Sequence, residues 1–440
     1  MNDAQARCAE LIERCLGYSN ADEVRVSVSQ EDTSQLRFAR NTITTSARIE
    51  NLFVSVRSSF GSRSASASSN LTDPDSLRSL VRQAESLARL MPEDPEAMGE
   101  LGPMPLPPSS APELESEAER MANMASGAAH CIAQAREASL IAAGFLQAQS
   151  GVRALGTSAG FGAAYPFAEA HFSTTVRTPD GTGSGWNSSA APNAAGLDFK
   201  GGARVAIEKA RRSARPGFLA PTSMSTILEP ACVASLLRLL LGGLGARPLD
   251  EGRSPFKAKD LDARLFPSLL SVHSNPFDPS VPVQPWSAEG LPHGKCDWIK
   301  AGSLRSLACG RYWARKSGRQ ARPPAPNAIM LGGHKSLTEL VATSERALLV
   351  TNLWYMRQVD ARSMLYTGLT RDGVFLVENG EIVRPVNNFR WNDSPIRIFQ
   401  AIEELSRSVR VGGRGGATRN FVVPAMKVDS FQLSSISEAV

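Results

Sequence analysis

At 440 residues, 42% of them hydrophobic, the chain is long enough for two or three domains around a sizeable core. Lys and Arg exceed Asp and Glu by five, an excess spread along the chain, which is too weak and too diffuse to argue for a nucleic-acid-binding protein. The most apolar window, residues 231–246, is too short to span a bilayer and is interrupted by Arg238; the charged N-terminus reads as an amphipathic helix, not a secretion signal; and the six cysteines (8, 15, 131, 232, 296 and 309) are scattered as reduced thiols would be. These features predict a cytoplasmic protein without a disulfide framework.

In chain order, Cys8, Leu11, Ile12, Cys15 and Leu16 give a first helix its apolar stripe. Val24–Ser29 alternates as a strand, and Ile49–Arg57 is predicted as a second. Asp73 is placed to cap a helix that starts at Pro74 and buries Leu77, Leu80, Val81, Ala84, Leu87 and Ala88. Seven prolines between Pro92 and Pro112, with no periodicity, indicate an extended linker or surface wrap. A helix of Ala and Glu composition follows from roughly Glu113 to Ala138. Short strands are expected in 140–149, 152–161 and 166–178, joined by Ser150-Gly151 and closed by the Pro179-Asp180-Gly181 turn. A helix at about Asp198–Ser213 ends this part.

The remainder is predicted to be mainly β. It includes 347–356 and the hairpin 374–386, where Asn379-Gly380 is a strong type I′ turn signal, then a helix at Ile396–Arg407 and a last strand near Val422–Val428. The fold class is therefore α+β: an N-terminal α/β domain (1–91), the Pro-rich linker (92–112), a middle domain of helix plus antiparallel strands (113–222), and a mainly β C-terminal domain containing a buried helix (223–440). No repeat of fixed period is present.

That helix, Glu229–Ala246, carries Val233, Leu236, Leu237, Leu240, Leu241 and Leu244 at helical spacing, with Pro230 in its first turn and Gly242-Gly243 and Gly245 at its end. It has no His or Asp, and its one cysteine, Cys232, precedes the leucine run. A zinc-peptidase helix needs two imidazoles on one face and a carboxylate to activate water.

Several stretches carry a family resemblance: Leu36–Asn70, SAEGLPHGKCDWIKAGSL (287–304), RPPAPNAIMLGG (322–333), and above all Arg357–Ser394. In order and extent they resemble the TldD/PmbA family, specifically its PmbA (TldE-like) branch. Ala288, where the family usually has an acidic residue, and the basic segment Gly310–Pro324 depart from the pattern. The resemblance implies a heterodimer in which a TldD-like subunit binds zinc through an H-E-x-x-x-H helix and a late cysteine. That subunit cuts unfolded peptides inside a chamber, and the PmbA-like subunit lacks these ligands. Laying that helix on this chain puts the metal-binding positions near Arg238, Leu239 and Gly243, and no cysteine follows Cys309. A permanently protonated guanidinium repels a cation. The resemblance thus predicts a non-catalytic subunit with no cofactor of its own, zinc in a TldD-like partner, and an unfolded peptide as substrate.

Candidate peptide- or partner-contacting residues are Arg357, Asp360, Arg371 and Asp372, which would line the chamber or pair as surface charges. Arg414 and Arg419 lie in the glycine run VGGRGGATRN (411–420), read as a flexible loop that meets a carboxylate or as a mobile replacement for the late cysteine segment. Two other function classes stay open: a self-sufficient hydrolase using His293 and Cys296 with Asp297 beside them, and a stand-alone homodimeric peptide-binding or regulatory protein. His273 and His334 are isolated and read as structural. The DGTGSG stretch (180–185) lacks the Lys-Ser/Thr of a phosphate loop and is read as a turn.

Overall fold

Alternating valines start the first sheet. In the computed structural model, which describes residues 3–106, 112 and 114–438, strand β1 (Glu23–Ala39) buries Val24, Val26, Val28, Leu36 and Phe38 on one face. It turns back into β2 (Thr42–Phe60) through Arg40-Asn41, both at positive φ as a two-residue hairpin requires. With β3 (Arg63–Ser69), β4 (Ile141–Thr157), β5 (Gly162–Arg177) and β6 (Ser184–Ala191) it forms one antiparallel sheet in the order β3-β2-β1-β4-β5-β6.

This corrects the division into separate first and middle domains. Strand β1 pairs with β4 along residues 25–38, so regions 1–91 and 113–222 share a sheet. The reason is the length of β1, which carries two apolar patches. One packs under α1 (Asp3–Tyr18) and α2 (Pro74–Leu90), and the other under α3 (Glu117–Glu137) and α4 (Phe199–Arg212). Between the patches the buried Arg120 guanidinium donates to Asp32 (2.6 Å) and Ser34 (3.0 Å).

The expected turn at Ser150-Gly151 is also corrected: it lies inside the long strand β4, where a Cβ on Gly151 would come within 1.9 Å of the Gln30 carbonyl. Asp73 caps α2 as its position predicts, but Leu87 is exposed. Helix α3 is capped by a Ser116–Glu119 box; its expected start at Glu113, and linker residues 107–111, lie outside the described residues. The described part of the Pro-rich segment wraps the sheet's end. Glu100 lies 3.7 Å from Arg25 and 3.8 Å from Arg57, and the Leu101 carbonyl accepts from Thr157.

The C-terminal part holds two sheets. Short strands β8 (Val272–Ser274), β9 (Cys296–Lys300), β10 (Ser303–Leu304), β11 (Ala328–Met330), β17 (Val409–Val411) and β18 (Phe421–Val423) form one, in the order β10-β9-β8-β11-β18-β17. In the other, β7 (Ser223–Leu228), β12 (Arg346–Asp360), β13 (Leu365–Glu378), β15 (Asn388–Asp393) and β19 (Met426–Ser437) pair in a closed circuit, with β14 (Glu381–Pro385) and β16 (Ile402–Leu405) at its margins. Asn379-Gly380 makes the predicted tight turn, with φ of 49° and 81°. The expected helix at 396–407 is shorter, Pro395–Gln400, because the following residues pair with β19 as β16. Between the sheets lies α5 (Pro230–Gly242), whose buried leucines join a core that includes Trp298, Trp391, Phe399 and Phe431. No helix among the described residues is long and apolar enough to cross a membrane.

Candidate functional site

Helix α5 buries Cys232, Val233, Ala234, Leu236, Leu237 and Leu240, while Leu241 is only half-buried and Arg238 points to solvent. The three positions singled out from sequence therefore share the helix's outer side. Leu239 and Gly243 are half-buried, and a Cβ on Gly243 would meet the Met364 side chain at 2.9 Å. Glu229, at the helix start, is buried and committed elsewhere: it accepts from Lys209 of α4 (2.6 Å) and Thr351 (3.4 Å). The Cys232 thiol contacts the Val350 carbonyl, and burial raises its pKa well above the usual thiol value. Zinc requires deprotonated thiolate, imidazole or carboxylate donors, and the outer side of α5 offers a guanidinium, a leucine and a glycine. No group of three or more His, Cys, Asp or Glu side chains that could hold a metal occurs among the described residues.

Three of the six candidate charged residues, Arg371, Asp372 and Arg414, come together next to this region. Asp372 on β13 is 1% exposed in its side chain and adopts φ of +58°, a left-handed conformation that Asp tolerates better than most residues. It accepts from the Ser184 hydroxyl (2.8 Å) and pairs with Arg414. The Arg414 guanidinium is stacked between Trp186 (5.1 Å) and Trp354 (5.0 Å), and Arg371 lies 5.2 Å from the Trp354 ring. Burial pushes the Arg414 guanidinium below its ordinary value, an effect that Asp372 opposes. Beside the stack a cavity of about 480 Å³ opens over β4–β6, bordered by Arg37, Phe145, Thr175, Trp186, Trp354 and Arg414.

The glycine run is anchored, contrary to the expected mobile loop. Gly412 approaches β6 so closely that a Cβ would lie 2.7 Å from the Ser189 carbonyl, and Gly413 has φ of +66°. The Gly413 carbonyl contacts Nε2 of buried His171 at 2.8 Å; a carbonyl only accepts, so this nitrogen carries a proton, and burial lowers the pKa of the ring. The run's arginines already have carboxylates of their own: Arg414 takes Asp372 and Arg419 takes Glu169. Arg357 and Asp360 sit apart from both, on the exposed outer part of the β12–β13 hairpin. Arg357 stacks on Tyr355 (4.9 Å), and Asp360 closes a turn by accepting from Ser363, which holds its carboxyl below the usual range.

His293, Cys296 and Asp297 are not assembled. No hydrogen bond or ion pair joins them among the described residues: His293 lies in a loop facing a cavity, whereas Cys296 and Asp297 pair with Ser274 and His273 on β8. The DGTGSG stretch is a turn, closed by Asp180 with Thr178 and Thr182, and it delivers Ser184 to Asp372. Sequence reading missed Trp186, Trp354 and Ser184; the Trp354-Tyr355 pair inside an otherwise aliphatic strand was the available signal.

His293 is 8% exposed and burial pushes its imidazole from 6.5 down to about 4. An unfolded chain takes up this proton near pH 6.5 and the folded one only near pH 4. Its stabilising contribution is therefore complete above pH 6.5 and declines as pH falls toward 4, by on the order of 3 kcal/mol in all. The thermal midpoint of wild type is expected to fall more steeply over that window than that of His293→Gln; parallel curves would refute the assignment.

Residues 221–435 match the PmbA/TldA metallopeptidase C-terminal domain, and residues 24–88 match PmbA/TldA metallopeptidase domain 1. The chain belongs to the TldD/PmbA family. Its fold is similar to that of TldE from Thermococcus kodakarensis (TM-score 0.86, 17% identity, covering 97% of this chain and 99% of that one). It is also similar to candidate DNA gyrase modulators from Thermotoga maritima (0.83, 15% identity, 97% and 100%) and Bacteroides thetaiotaomicron (0.84, 15%, 99% and 100%). Comparison with curated proteins gives no match. The α+β architecture predicted from sequence is the TldD/PmbA fold.

Proposed function

We propose that this chain is the non-catalytic, TldE-like subunit of a cytoplasmic TldD/TldE-type zinc peptidase that processes unfolded peptides, with the zinc held by a TldD-like partner. The observation that carries this reading is the outer side of α5. At the positions where the family resemblance places metal ligands stand Arg238, Leu239 and Gly243, and Glu229, at the start of the helix, is paired with Lys209.

The remaining architecture supports a substrate-holding role. The sheet face opposite the helices presents Ser29, Glu31, Gln35, Gln147 and Gln149, and the Trp186–Arg414–Trp354 stack borders it. Polar sheet surface with aromatic walls suits an extended chain, which offers backbone groups and alternating side chains. The test is reconstitution with a TldD-like subunit carrying an intact H-E-x-x-x-H helix, using an unstructured peptide as probe. Cleavage is expected only from the mixture and is abolished by chelation. Cleavage by this chain alone, lost on thiol alkylation, would favour the hydrolase reading instead. A stable homodimer that does not bind the TldD-like subunit would favour a stand-alone binding protein.

A further inference from the structure

A second cavity, of about 420 Å³, lies on the far side of the glycine run, where the face of β4 and β5 meets the C-terminal part. Tyr165, Phe167 and Trp286 make its apolar wall, with Tyr165 and Trp286 edge-to-face at 6.4 Å. Three guanidinium groups enter it: Arg153, Arg410 and Arg419.

Their neutralisation is uneven. Glu169 is the carboxylate lining this space; it pairs with Arg419, accepts from Gln149, and lies 3.9 Å from Arg153. Arg153 stacks 3.9 Å from the Phe167 ring centroid and is 3.8 Å from Glu31. Arg410, by contrast, donates only to main-chain carbonyls, those of Arg419 (3.1 Å) and Ser280 (2.9 Å), and has no ion-pair partner among the described residues. Three cations thus face two carboxylates, leaving one positive charge in excess. Burial disfavours that charge on Arg410, the nearby Glu169 partly offsets the burial, and repulsion from Arg419 adds to it; with Glu169 already paired to Arg419, an anion entering the cavity meets a site that gains from its arrival. A single excess cation suits a monoanion better than a phosphate dianion, and the planar guanidinium fork suits a carboxylate.

We propose that this cavity binds a carboxylate of an extended peptide, next to an apolar side chain seated on Tyr165, Phe167 and Trp286. The peptide identity rests on the proposed function; the anion preference rests on the arginines alone. The carboxylate comes from the peptide's C-terminus or from an acidic side chain, and the two sources are separable.

The experiment measures fluorescence polarisation of N-terminally labelled unstructured heptapeptides on the isolated full chain at low salt. The peptides end in Phe as free acid, end in Phe-amide, or are amidated with one internal Asp. Binding of at least one acid-bearing peptide is expected to exceed that of the neutral amide by about tenfold, the effect of one charge-assisted hydrogen-bonded pair. Preference for the free acid assigns the C-terminus, and preference for the Asp peptide assigns the side chain. Arg153→Gln, at a partly exposed position, and Arg410→Lys, which keeps the charge but loses the fork, should each reduce that preference. Equal binding of all three peptides, no binding of any, or a preference untouched by both variants would overturn the proposal. Metal content and reconstituted cleavage are read separately, so failure here is distinguishable from failure of the subunit reading.

Discussion

Replacing Asp372 by Asn should destabilise the protein by about 3 kcal/mol, because it strands the Arg414 guanidinium between two indoles without its counter-charge. The lower end of the range for broken buried pairs applies, since the Arg414 side chain keeps 28% exposure. Asn tolerates the left-handed backbone at φ of +58°, so this variant isolates the charge. Ala at the same position adds roughly 1 kcal/mol of backbone strain and so should be the worse substitution. Urea unfolding followed by tryptophan emission is the natural readout, because Trp186 and Trp354 report on the arginine directly. An Asp372→Asn protein as stable as wild type would mean that the pair is not structural.

The second large effect concerns α5. Leu240 is fully buried in the core between the two C-terminal sheets, so Leu240→Ala should cost about 2–5 kcal/mol through lost burial and the cavity left behind. Arg238, two residues earlier on the outer side, should tolerate Ala to within about 0.5 kcal/mol. Thermal melts of the two variants measure the contrast directly. A costly Arg238→Ala would show that the outer side is packed against something the isolated chain already contains.

Much of this was legible in the sequence because it rests on local chemistry. The Asp73 cap, the Asn379-Gly380 turn and the leucine spacing of α5 each specify their geometry within a few residues. What escaped depends on partners distant in the chain. Nothing local to Ser150-Gly151 shows that β1 lies alongside and favours a strand there, and that pairing is what unites two expected domains in one sheet. Of the charged candidates, Asp372 and Arg414 converge because β13 and the glycine run meet over β6, whereas Arg357 and Asp360, in the same family-like stretch, end on an exposed hairpin. Arg410 carried no signal, since its significance lies in having, among the described residues, main-chain acceptors and no ion-pair partner of its own.

The proposed function rests on α5 being a packing element whose outer side, where the family resemblance places metal ligands, offers Arg238, Leu239 and Gly243. Elemental analysis of the protein, purified without chelators and supplied with zinc before desalting, tests it most directly. The account predicts far less than stoichiometric zinc after desalting, unchanged by Arg238→Ala; one tightly retained zinc per chain would contradict it.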